Sequence, residues 1–145
     1  MGNVKMQTTW TYPAVFDRQD GEVIVHFPDV PEAVTGASTM EEAQALAADA
    51  LEEAILHYLA EGLPVPPPRK ANRGEEAVPL DPITAGRAAV SILMTRDRIS
   101  NVALADRMAK DEKVVRRIVS GQGNVTMQTI TVALKALGAR PALVA

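Results

Sequence analysis

Glu112, Lys113, Arg116 and Arg117 bring together side chains that reach phosphates with side chains that donate or accept at base edges in a major groove. They fall on one side of a short helix whose other side is Val115 and Ile118, so the charged groups point away from a buried seam. The residues just upstream supply the partner for that seam: Leu104, Ala105 and Met108 share the inward side of a preceding helix, and Ala105 is small enough for a close crossing. Gly121 then stops the second helix. Two short helices across a tight turn, the second presented outward, form the layout of a helix-turn-helix DNA reader.

The elements around that pair follow from caps and apolar spacing. Asp81 caps a helix running from Pro82 to Arg98, with Pro82 in its first turn and Ile83, Ala89, Val90, Leu93 and Met94 as its buried side. Ser100 or Asn101 caps the next helix, and Asp111 caps the outward one. Thr126 opens a last helix that ends near Leu137-Gly138, and Leu143 and Val144 offer a short terminal strand for pairing with a twin. A single module of this kind buries too little surface for strong specificity, so a dimer is expected, with half-sites about one helical turn apart.

Charge separates this part of the chain from the rest. Residues 83–145 carry ten Lys/Arg against four Asp/Glu, whereas residues 1–82 carry five against fourteen, giving +6 and −9 within the net −3. A basic module gains from counterion release on DNA, and an acidic one is repelled by the same polyanion, so the two halves are expected to take different partners. The run from Gly62 to Glu76, with Leu63-Pro-Val-Pro-Pro-Pro68, neither continues a helix nor joins a central strand, and it divides the 145 residues into two small domains: 1–62, a linker 63–80, and 81–145. Without cysteine there is no disulfide framework or thiolate metal site. The start lacks a basic-then-apolar secretory pattern and no apolar run approaches spanning length, so a cytoplasmic protein without a membrane partner is expected.

In the acidic half, Thr8 to Asp17 and Glu22 to Phe27 read as two strands around an Asp20-Gly21 turn. Ala33-Val-Thr35 is a candidate third strand. Ser38 and Thr39 with Glu41 and Glu42 then open a helix in either of two capping-box registers. Ala43, Leu46, Ala47, Ala50, Leu51, Ala54, Ile55, Tyr58 and Leu59 form its apolar face, and Gly62 ends it. Val78-Pro-Leu80 is a candidate edge strand beyond the linker.

The segments Tyr12-Pro-Ala-Val-Phe, Asp20-Gly-Glu-Val, Phe27-Pro-Asp-Val-Pro-Glu-Ala, Thr35-Gly, Glu41-Glu-Ala, Asp49-Ala-Leu and Gly62-Leu-Pro-Val-Pro resemble the HicB antitoxins of bacterial toxin–antitoxin pairs. The resemblance extends over nearly the whole chain, and Arg87 to Ala145 looks like the branch that carries a Cro-like helix-turn-helix. It implies an α+β architecture: an N-terminal partial RNase H-like β-β-β-α domain that grips a small basic HicA-type, mRNA-cleaving toxin, and an all-α domain that binds the operator of its own operon. It also implies that Asn101 positions the helix on a phosphate, that Lys113 and Arg116 sit at base edges, and that the loop of Gln122, Gly123 and Asn124 touches phosphates. Two residues depart from the motif: Ala109 stands where glycine is usual and Lys110 where an apolar residue is usual. Asp17, Asp29 and Glu32 are the candidate contacts for the toxin's cations. Homodimers are expected, with tetramers as a further option.

An RNase H-like fold raises the question of a nuclease, which needs several carboxylates converging on metal ions. Asp17 and Asp20 sit in or beside a turn, Asp29 lies in a loop between two prolines, and Asp49 is on the charged side of its helix, so each reads as turn former or solvated face. His26 and His57 have no neighbours that make a ligand pair, and the methionines occupy apolar helical positions. No glycine-rich phosphate loop is present. The expectation is therefore a non-enzymatic protein without cofactor or metal, an antitoxin and autorepressor. The alternative is a solitary transcription regulator whose N-terminal domain senses a ligand or another protein.

Overall fold

Asp20 and Gly21 both adopt positive φ, 49° and 81°, as a two-residue turn between right-twisted strands requires. The structure, a computed structural model, describes residues 9–142. Around that turn β1 (Thr11–Gln19) and β2 (Glu22–Phe27) pair antiparallel, with Gln19 opposite Glu22 and Val15 opposite His26. β3 (Val30–Ala37) continues the meander, longer than the three residues expected, with a register irregularity at His26/Phe27. β4 (Glu76–Pro79) pairs with the start of β1, so the sheet order is β3-β2-β1-β4. Pro13 is tolerated in β1 because β2 begins pairing only at Val15.

Val23, Val25 and Phe27 are buried on β2 while Glu22 and His26 face out, the alternation of a one-sided sheet. Asp17 is an exposed residue inside β1, opposite Ile24, the solvated alternative of its two readings. α1 (Met40–Ala60) starts on Thr39, whose hydroxyl accepts from the Glu42 amide at 3.2 Å, which selects one of the two capping registers. Its Ala43, Ala47, Leu51 and Ile55 are fully buried, and Gly62 closes it in the left-handed region, φ 66°.

The chain divides into two compact units. One contains the residues up to Leu51 with Pro66–Leu80; the other contains Glu52–Val65 with the residues from Asp81. The boundary between these units runs through α1 and the proline run. In the first unit the Tyr12 hydroxyl donates to the Pro66 carbonyl at 2.6 Å. Burial, and after it the charge of Asp29, raises the phenol above its ordinary pKa.

The second unit packs α2 (Pro82–Asp97), α3 (Asn101–Met108), α4 (Glu112–Ser120) and α5 (Met127–Ala136): α2 on α4 and α5, and α3 on α4 and α5. The buried side of α2 is Thr84, Ala85, Gly86, Arg87, Ala88, Ala89, Val90 and Met94, whereas Ile83 and Leu93, expected inside, are half-buried. Gly86 explains the shift: a Cβ there would lie 2.4 Å from Cγ2 of Ile130, so this small-residue stretch is where α5 approaches. The proposed terminal strand at Leu143 and Val144 lies outside the described residues. The architecture is α+β, a four-stranded antiparallel sheet with a helix and an all-helical unit. Among the described residues no helix is long and apolar enough to cross a membrane.

Candidate functional site

Leu104, Ala105 and Met108 of α3 and Val115 and Ile118 of α4 are buried, the seam expected from their spacing. Each fully buried Val or Ile contributes about 1.5–3 kcal/mol, enough to fix which side of a nine-residue helix faces out. Asp111 caps α4 by accepting from the Lys113 amide at 2.9 Å. Gly121, φ 69°, terminates it. The turn between α3 and α4 keeps a left-handed residue without glycine: Ala109 has φ 54°, and the Lys110 amide reaches the Ala105 carbonyl at 3.0 Å.

The outer side of α4 carries exposed Lys113, Arg116 and Arg117 and half-buried Glu112. Arg116 is not free on it, because its Nη2 donates to Glu112 Oε2 at 2.6 Å, an i,i+4 pair. Lys113 and Arg117 are exposed to solvent. Asn101 is the first residue of α3, not its cap: the Ser100 hydroxyl accepts from the Ala103 amide at 3.1 Å, leaving the Asn101 amide group free of capping duty. Asn101 and Arg116 line one open cleft of about 660 Å³ with Leu59, Ile99 and Val119. Gln122, Gly123 and Asn124 form an exposed loop after α4.

A residue not singled out from the sequence underlies that loop. Arg87 is only 5 % exposed, and its guanidinium donates to the carbonyls of Arg117 at 2.7 Å and Gly123 at 2.5 Å. Burial lowers its pKa from the ordinary arginine value. The signal in the sequence was one charge inside the otherwise uncharged run Thr84 to Val90.

The acidic candidates do not form one cluster. Asp17 lies on β1 opposite Ile24 and Asp29 in the β2–β3 turn, separated by roughly 10 Å of strand at about 3.3 Å per residue. Asp17 accepts from its neighbour Gln19 at 2.9 Å. Asp29 is bound by Arg69 at 2.6 Å, and the same guanidinium holds Glu75 at 2.9 Å. Glu32 is exposed on β3. Hydrogen bonds from Arg69, then from the Asn72 amide, push the Glu75 carboxyl down to about 2. Among the described residues no three His, Asp or Glu groups are placed to hold a metal ion.

Residues 11–89 match the family model described as the HicB-like antitoxin of bacterial toxin–antitoxin systems. The chain is 36% identical over 140 residues to Antitoxin HicB 2 of Photorhabdus laumondii, covering 97% of this chain and 99% of that protein. It is 29% identical over 128 residues to Antitoxin HicB 1 of the same organism, covering 88% and 81%. Against Antitoxin HicB of Escherichia coli K12 the identity is 27% over 125 residues, covering 86% and 91%. The chain belongs to the HicB-like antitoxin family of bacterial toxin–antitoxin systems.

Proposed function

We propose that this antitoxin binds and neutralises a small, basic, mRNA-cleaving HicA-type toxin through its sheet unit, and represses its own operon through α4. The observation that carries the DNA part is the seated, doubly capped α4 with Lys113, Arg116 and Arg117 outward, in a segment with a charge of +6. Glu112 sets the side-chain position of Arg116, Asn101 approaches a phosphate at the start of α3, and Gln122 and Asn124 approach one from the loop. The −9 charge of residues 1–82 supports a cationic partner, with Asp17, Asp29 and Glu32 as its candidate contacts. Domain roles divide near residues 62 and 80, the protein works in the cytoplasm as a homodimer or tetramer, and it acts by binding without catalysis.

Co-expression tests this reading. The full chain should restore growth to cells arrested by the product of the adjacent short basic reading frame and should copurify with it. Persistent arrest with both proteins present would reject the toxin assignment. A repressed reporter behind the DNA preceding the gene supports autorepression, and an unaffected reporter rejects it.

A further inference from the structure

The last four carbonyls of α4, from Arg117 to Ser120, lie beyond the reach of the helix's own i+4 amides, the Ser120 hydroxyl donating to the Arg117 one at 3.3 Å, and the loop after it turns through two left-handed glycines, Gly121 at 69° and Gly123 at 73°. Both features converge on Arg87. One guanidinium nitrogen serves the helix end, at 2.7 Å from the Arg117 carbonyl and 3.5 Å from that of Ile118. The same nitrogen stands 3.5 Å from the Gln122 carbonyl, and the other donates to Gly123 at 2.5 Å. The acceptors are all main-chain oxygens, so the cation complements the negative end of the helix dipole instead of a carboxylate. The Arg117 stem packs beside the same loop: a Cβ on Gly123 would lie 3.3 Å from Arg117 Cδ.

We propose that Arg87 is the positioning residue of the DNA-contacting surface, a buried fork that locks the end of α4, the 121–124 loop and the Arg117 side chain into one rigid presentation. The inference rests on the proposed reading of α4 as the DNA-binding helix and adds to it a residue that touches no DNA. Lysine cannot replace it, because a single ammonium lacks the planar fork that spans helix end and loop. Without the fork, Arg117, Gln122 and Asn124 lose their fixed geometry together, so phosphate contacts are lost on any sequence.

The test uses the full chain, a duplex of the DNA preceding its own gene and a random duplex, titrated over a range of salt concentrations at 10 °C. Arg87→Lys and Arg87→Met should bind both duplexes at least tenfold more weakly, with the slope of log affinity against log salt reduced by about one. Ile130→Val is the control for stability alone: it lowers the melting temperature but should leave affinity and slope unchanged. If folded Arg87→Lys binds with wild-type affinity and slope, the residue is merely structural and the inference fails. If wild-type protein binds neither duplex, the DNA reading itself fails. Should both Arg87 variants unfold, guanidinium proton exchange in the wild-type chain decides. Slow exchange, retained while resonances of residues 117 and 122–124 shift on DNA, supports the lock; fast exchange overturns it.

Discussion

Arg69 joins Asp29 at 2.6 Å across forty positions of sequence, so the carboxylate in the β2–β3 turn is already neutralised within the acidic unit. The same arginine binds Glu75, and it ties the segment leading into β4 to that turn. Arg69→Ala should therefore expose two anionic groups together. Because steering by charge acts mainly on encounter, toxin association should become several-fold faster and more salt-sensitive. Stopped-flow mixing checks this, and a slower association would place the toxin contact away from Asp29.

The same cluster gives a dependence on acid. A carboxyl whose folded pKa is depressed stabilises the fold fully above its unfolded value and loses that contribution as pH falls through the folded one. For Glu75 the window runs from its ordinary 4.5 down to about 2. Urea midpoints at pH 6 and pH 3 should differ less for Glu75→Gln than for the wild type. An equal difference would show that the Arg69 bonds are not maintained in solution.

Ala109 adopts a left-handed conformation, φ 54°, which costs an L-residue about 1–2 kcal/mol. Glycine removes that strain and returns part of it as unfolded-state entropy, about 0.5–1 kcal/mol. Ala109→Gly should stabilise the helical unit by up to about 1 kcal/mol without altering the turn. Thermal melts decide, and a lower melting temperature would mean that the turn is not strained.

The α3–α4 pair was legible because its determinants are local: caps at Asp111 and Gly121, and a seam at three-four spacing. Even the departure at Ala109 was visible as a missing glycine, and the structure shows the chain accepting the strain while keeping the turn hydrogen bonds. What stayed hidden is long-range. Nothing near Arg87 in sequence announces carbonyls thirty or more positions away, and nothing near Asp29 announces Arg69. On α2, Ala89, Val90 and Met94 are buried as their spacing implies, whereas Ile83 and Leu93 are only half-buried, because apolar size lost there to the close approach that Gly86 and its alanine neighbours permit. β4 was legible as an edge strand, but its pairing with β1 requires the whole sheet. That pairing also means that a fragment ending at residue 76 removes most of a strand, so tests of the acidic unit belong on the full chain.

Gly86 sets the spacing of α2 and α5. Its substitution by alanine improves helix propensity by about 1 kcal/mol, yet a methyl 2.4 Å from Ile130 Cγ2 must displace that side chain. Overpacking of this kind costs about 1–3 kcal/mol, so Gly86→Ala should be net destabilising. Gly86→Ala with Ile130→Ala should be less unstable than the two single changes summed, as a double-mutant cycle by chemical denaturation will show. Simple additivity would mean that the two groups do not meet.

The central claim is that α4 reads DNA while a separate acidic surface meets the toxin, and one titration tests it most directly. Full-length Arg116→Ala is titrated by fluorescence anisotropy against the duplex preceding the gene, and the same variant is assayed for relief of toxin-induced growth arrest. The predicted result is a loss of about 1–3 kcal/mol in operator affinity with neutralisation intact. Unchanged affinity would remove Arg116 from the interface, and loss of neutralisation by the same variant would contradict the division of labour between the two surfaces.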